Sequence, residues 1–190
     1  VYIAVFGALW GVVETTLGSA LHVLNAPFTG LFLTGIGVAL ALVGRLFVPR
    51  RGSVLFIGLV TAFIKMFSLG GIVINPMIGI VAESALAELA VSLLGQPRRL
   101  SFLIAGAAAT FWPLVHPFFT QTLLAGQRFL TVYVRTLERG ARLLGLSASA
   151  VVPVLVGLIA VHLAVGAVAG LLAWDVGRLV QRRLQTQEGV

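Results

Sequence analysis

Six stretches of this chain run for about twenty residues with hardly a charge in them, the length a helix needs to cross a ~30 Å hydrocarbon core. They are Tyr2–Val23, Phe28–Val48, Ser53–Ile72, Ile74–Leu94, Leu100–Ala125 and Ser149–Leu179. The connections Asn25-Ala26-Pro27, Pro49-Arg50-Arg51-Gly52 and Gly95-Gln96-Pro97 carry the proline and glycine that stop and restart helices. A closed barrel would need alternating strands, whereas these runs are apolar throughout. The expected fold is therefore an all-α integral membrane protein: one membrane domain, 1–190, built as a six-transmembrane-helix bundle.

Composition supports this. Hydrophobic residues make up 59% of the chain, charged residues 10%, and the mean hydropathy is +1.08, against about 25% charged in ordinary soluble domains. A soluble fold of 190 residues has too little interior to hide that much apolar surface. A soluble enzyme, a disordered regulator and a nucleic-acid-binding domain are excluded. With no cysteine, so are disulfides, thiolate metal ligands and a cysteine nucleophile.

The net charge of +7 has a topological meaning. Arg45, Arg50 and Arg51 lie between spans two and three, Arg98 and Arg99 between four and five, and Arg178, Arg182 and Arg183 at the end of six. Six spans put all three clusters on one face, which makes that face cytoplasmic and places both termini there. The first segment reads as a retained helix rather than a signal peptide. Gly18-Ser19-Ala20 has the small-residue spacing of a cleavage site, but Glu14 interrupts the apolar run and no basic residue precedes it in this sequence.

The segment 127–147 breaks the pattern. Arg128, Arg135, Arg139 and Arg142, spaced seven, four and three apart, fall on one face of a helix on the external side. It reads as an amphipathic helix on the membrane surface with its arginines on phospholipid phosphates. An arginine-lined lid, or a broken or re-entrant span five at Pro113 and Pro117, are the other readings.

Small residues recur at helix-packing intervals: Gly7 and Gly11 with Ala4 and Ala8 on the first span, Gly30, Gly37 and Gly44 on the second, Gly166 and Gly170 on the sixth. Such rows let backbones approach closely in lipid. The first-span rows are the candidates for contact with another subunit, and intramolecular packing is the alternative for each.

Ionisable residues within spans are expensive and are usually paired or functional. Counted at ~1.5 Å per residue, Glu14, Lys65 and Glu83 share a level near the midplane. They form either a buried ion pair that fixes helix register or the polar floor of a substrate cavity, and the two roles are compatible. Two carboxylates against one lysine lean toward a neutral or cationic ligand that donates hydrogen bonds. Asn75 opens span four. Phe111-Trp112-Pro113 and His116-Pro117-Phe118-Phe119-Thr120-Gln121 supply aromatic faces and polar tips suited to a planar heterocycle. Glu88 lies deeper, and Asp175 is expected to pair with Arg178 at the interface. His22, His116 and His162 form no close ligand pair, so no metal and no cofactor are expected. No GxSxG, no phosphate-binding loop and no acid-rich repeat occurs, so ATP-driven action would need a partner ATPase.

The six-helix layout, Ala4-x-x-x-Ala8 interleaved with Gly7-x-x-x-Gly11, and the stretches Gly11–Gly30 and Lys65–Glu88 resemble the substrate-binding S components of energy-coupling-factor vitamin transporters. The resemblance covers most of the chain, although 127–147 has no match in the pattern. It implies a ligand in the outer half of the bundle, near the loop Leu24–Phe28, Asn75, Glu83 and the turn His116–Gln121, above a floor of Glu14 and Lys65. It implies docking of Ala4, Gly7, Ala8 and Gly11 on a transmembrane T subunit that works with two ATPases in a bacterial or archaeal cytoplasmic membrane. None of the residue sets associated with riboflavin, biotin, nickel or cobalt members is present. The expectation is a high-affinity binding subunit of an ATP-driven micronutrient importer. A membrane enzyme acting on a lipid and a stand-alone homo-oligomeric carrier or channel are the alternatives.

Overall fold

The computed structural model describes residues 1–24, 26–67, 74–120, 122, 126, 128, 131, 134–135, 138–140, 142, 145 and 151–188, with the backbone alone at 22, 151 and 188. The helices are α1 (Tyr2–Val23), α2 (Thr29–Phe47), α3 (Ser53–Lys65), α4 (Ile74–Leu93), α5 (Arg99–Phe119) and α6 (Val151–Glu188). No strand occurs among the described residues. Five of these helices are long and apolar enough to cross a membrane, which marks the chain as a multi-pass, all-α membrane protein.

Two helix ends differ from the sequence reading. The third helix stops at Lys65 after 13 residues, about 20 Å, short of a full crossing. Its end is tightened by hydrogen bonds three residues back, from Met66 N–H to Phe63 (3.2 Å) and from Phe67 N–H to Ile64 (3.0 Å). Residues 68–72, which completed the expected span, lie outside the described residues. The fifth helix runs unbroken through Pro113 and Pro117 to Phe119, and residues 121 and 123–125 of the expected span lie outside the described residues. The sixth continues nine residues past Leu179 to Glu188, because the polar tail Gln181-Arg182-Arg183 projects beyond the apolar part without any helix breaker.

Five helices follow one another in an open arc in the order α1, α3, α4, α5, α6, and α2 packs against every one of them. Centrality explains the composition of α2. Eleven of its 19 residues are buried, and its glycines make room for large neighbours. Trp10 of α1 packs on Gly37, and Phe6 and Ile57 pack on Gly44. The core comprises Trp10, Val38, Ala41, Leu42, Ile57 and Phe102 with their neighbours. Gly52, at φ +90°, makes the turn into α3 in the left-handed region that glycine alone enters without strain.

The cytoplasmic-type arginines divide into two groups. Arg45 is buried, its Nη1 3.8 Å from Glu88 Oε1 and 3.1 Å from Ser53 Oγ. Glu88 Oε2 accepts the Val54 N–H at 2.9 Å, placing a carboxylate at the N-terminus of α3 where the helix dipole favours it. Ser92 donates to the other oxygen of Glu88. At the surface, Asp175 does not pair with Arg178 as expected. It bonds Arg99 of α5 at 3.1 Å, because the start of α5 meets the far end of α6, and Arg178 lies over the Trp174 ring at 5.6 Å. Both partners of the Arg99–Asp175 pair are more than half exposed. Arg99→Gln is accordingly expected to change stability by less than about 0.5 kcal/mol in a thermal melt.

In the segment 127–147, Arg128, Arg135, Arg139 and Arg142 are exposed, and Gly140 is buried. A Cβ at Gly140 would meet Val154 and Leu158 at the start of α6. Thr131, Val134, Glu138 and Gly145 are exposed as well, and the remaining residues of that segment lie outside those described.

Candidate functional site

The buried polar groups of α1, α3 and α4 meet where the short third helix ends. Lys65, in the last turn of α3, reaches back to α1. Its Nζ donates to the Glu14 carbonyl at 2.8 Å and lies 3.7 Å from Glu14 Oε2. Trp10 Nε1 donates to Glu14 Oε1 at 3.4 Å, one helical turn away. Gly18 lies beside this pair, and a Cβ there would stand at ordinary contact distance, 3.7 Å, from both Glu14 Oε2 and Lys65 Nζ. The register-fixing ion pair anticipated from the sequence is therefore present, between Lys65 and Glu14.

Glu83 is on α4, buried, and apart from that pair. Its Oε1 accepts from Thr34 Oγ1 of α2 at 2.8 Å. Among the described residues it has no other hydrogen-bond partner. Thr34 Oγ1 is also 2.8 Å from the Gly30 carbonyl of its own helix, so its single proton is shared between the two acceptors. Asn75 and Pro76 sit in the first turn of α4, where proline is tolerated because that turn's N–H groups have no helical acceptor.

These groups surround one cavity of about 280 Å³. Glu14, Lys65, Asn75, Glu83 and His116 all line it, as do Thr34 and Pro113. Five helices contribute to the wall. Five of the seven ligand-site residues expected from the sequence thus share one cavity. Trp112 stands behind it, its ring 5.6 Å from that of His116 and 5.8 Å from Phe119. Gln121 lies outside the described residues. The loop Leu24–Phe28 places Phe28 at φ 60°, a left-handed conformation costing about 1–2 kcal/mol for a non-glycine residue, with its ring 6.4 Å from His162.

Trp112 Nε1 and His116 Nε2 are both buried without a hydrogen-bond partner among the described residues. A polar atom left in that state costs about 1–3 kcal/mol. Of the two residues, His116 lines the cavity, and a ligand offering it a complementary group would recover its share of this cost.

No family model matches the chain, and neither does any curated protein or solved structure.

Sequence reasoning missed Thr34, because the glycines around it made α2 look like a packing seam. Its signal was available: it is a hydroxyl at the depth of Glu83. The histidines separate. His162 is buried with Nδ1 2.8 Å from the Leu158 carbonyl, and its own carbonyl accepts from Thr110 at 2.7 Å, so it belongs to the α5–α6 contact. The side chain of His22 is outside those described.

The small-residue rows of α1 also separate. Gly7 faces α3, where a Cβ would come within 2.6 Å of Val60, and Thr61 donates to the Gly7 carbonyl at 2.9 Å. Gly11 faces Ile64 of the same helix. Both are taken up inside the chain. Ala4 and Ala8 remain on the exposed side of α1.

Proposed function

We propose that the chain is a membrane-embedded binding subunit for a small, vitamin-like molecule, acting in an ATP-driven importer with a transmembrane T subunit and two ATPases. The observation that carries this is the cavity, which brings Glu14, Lys65, Glu83, Asn75 and His116 together from four helices. Its volume of about 280 Å³ is at the low end of the ~300–1,000 Å³ of ligand pockets, which favours a compact heterocycle over a two-chain lipid. Lys65 is engaged by Glu14, so Glu83 is the carboxylate left to face a ligand. A hydrogen-bond-donating molecule, neutral or cationic, suits it. The His116 ring lines the cavity, backed by Trp112, and supplies a stacking face. The bacterial or archaeal cytoplasmic membrane, six crossings and both termini on the cytoplasmic side are part of the same proposal. The arginine-bearing segment from Arg128 to Arg142 contacts phospholipid in this reading.

The test is native mass spectrometry of the protein purified gently from its host membranes. A bound heterocycle of a few hundred daltons, together with a T subunit and ATPases, is the expected result. A bound lipid without ATPases would move the reading to a membrane enzyme. Transport by the purified chain in liposomes without an ATPase would move it to a stand-alone carrier. The exposed alanines give a second readout. Ala4→Leu with Ala8→Leu should keep the small molecule and lose the co-purifying T subunit. Gly7→Leu should instead fail to fold, because Val60 occupies that space.

A further inference from the structure

A second concavity lies away from the polar cavity, on the outer surface between α2 and α6. It is walled by α2 from Phe32 to Val43 and by α6 from Val165 to Val176, and every lining residue is apolar or glycine. Gly35, Ala39, Ala169 and Ala173 hold the helices close without filling the surface between them. Each wall runs from its first to its twelfth residue, a rise of about 16 Å, half of a ~30 Å hydrocarbon core and thus one leaflet. Its volume of about 390 Å³, spread over that length, makes a narrow groove that suits an alkyl chain lying along it. Left empty, the walls would lack dispersion partners.

One end of the groove is basic. Arg183 lies seven residues beyond Val176, which puts it within about 20° of the same face of α6 and about 10 Å farther along the axis. It is exposed, as are Arg50 and Arg51 in the turn that follows α2. Gln181 Nε2 donates to the Leu46 carbonyl at 2.8 Å and ties the projecting part of α6 to the end of α2. Arg45, held by Glu88, is not available.

We infer that this groove is the seat of an anionic phospholipid, with one acyl chain between α2 and α6 and its phosphate at Arg183 and the Arg50–Arg51 turn. The site is separate from the vitamin-like ligand's cavity, and it lies toward the opposite end of α6 from the exposed Arg128–Arg142 face. Apolar depth and a cationic rim select for an anionic headgroup, as clustered arginines do at membrane surfaces.

The full chain would be reconstituted into vesicles of equal parts phosphatidylglycerol and phosphatidylcholine with matched acyl chains, extracted in mild detergent and read by native mass spectrometry. One retained phosphatidylglycerol per chain is expected, about tenfold enriched over phosphatidylcholine. Ala169→Trp, which fills the groove, should abolish retention of both lipids. Arg51→Gln with Arg183→Gln, both changes outside the packed core, should keep a lipid bound but bring the two headgroups to parity. Retention that survives Ala169→Trp overturns the assignment, as does a headgroup preference that survives the arginine changes. Should Ala169→Trp fail to fold, the arginine variant decides alone. Recovery of a transmembrane segment of another protein from the groove, in place of lipid, also overturns it.

Discussion

Glu83→Gln should weaken ligand binding about ten- to a hundredfold and leave the fold intact, whereas Glu88→Gln, five residues along the same helix, should cost stability and spare binding. Glu83 makes one hydrogen bond, from Thr34 at 2.8 Å, and a glutamine oxygen accepts that bond equally well. What the substitution removes is the carboxylate that faces the cavity. A hydrogen bond to a charged group contributes about 1.5–3 kcal/mol, so affinity for the molecule recovered with the protein should fall about ten- to a hundredfold. Isothermal titration of that molecule measures it.

Glu88 is satisfied on every side by protein: Val54 N–H at 2.9 Å, the Ser92 hydroxyl, and Arg45 at 3.8 Å. A glutamine there turns an N–H₂ toward one of these donors and leaves a 3%-exposed Arg45 without its carboxylate. Breaking a buried pair from one side costs about 3–5 kcal/mol. The thermal midpoint in detergent should fall sharply, while ligand affinity of the surviving folded fraction stays within about twofold. Replacing both partners, Arg45→Met with Glu88→Met, should recover much of the loss, since no isolated charge then remains. Loss of binding in Glu88→Gln with none in Glu83→Gln would exchange the two roles.

The sequence already separated helix from loop along most of the chain, because apolar length and Gly/Pro punctuation are local signals. The start of α1 at Tyr2, of α3 at Ser53 and of α4 at Ile74 coincide with the expected ones. The early end of α3 was not legible. Met66 and Phe67 are as apolar as any spanning residue, and hydropathy cannot distinguish a turn that faces lipid from another helical turn. Depth counting brought Glu14, Lys65 and Glu83 to one level, and the structure keeps them around one cavity. Which carboxylate would take Lys65 depended on rotation about the helix axes. Rotation is set by packing, by Trp10 on Gly37 and by Val60 on Gly7, and no single-span pattern encodes it. The same limit hid Thr34 and the Arg99–Asp175 contact, both made between helices far apart in sequence.

The largest loss of stability should come from the α5–α6 crossing, where two backbones touch with nothing between them. A Cβ on Gly106 would overlap the Gly166 carbonyl, and one on Gly170 would overlap the Phe102 carbonyl. Backbone atoms cannot rotate away as a side-chain tip does, so the helices must separate. Thr110 spans the same contact, donating to the His162 carbonyl at 2.7 Å. Overpacking of this kind costs about 1–3 kcal/mol and more where no relaxation is open. Gly166→Leu and Gly106→Leu should sit at or beyond the top of that range. Gly157 supplies the control: it lies on the same α6 and is exposed, and a Cβ there meets nothing within 4 Å. Gly157→Ala should be neutral or stabilising by up to about 1 kcal/mol through helix propensity alone. The crossing also bears on the site, since Thr110 is two residues from Trp112 and six from His116 on the same helix. Moving α5 away from α6 displaces both rings relative to α4. The milder Gly166→Ala should therefore weaken ligand binding as well as lower the melting midpoint. A Gly166→Leu variant that melts with Gly157→Leu would show that the backbones are not in contact, and the position of α5 against the cavity would have to rest on Thr110 alone.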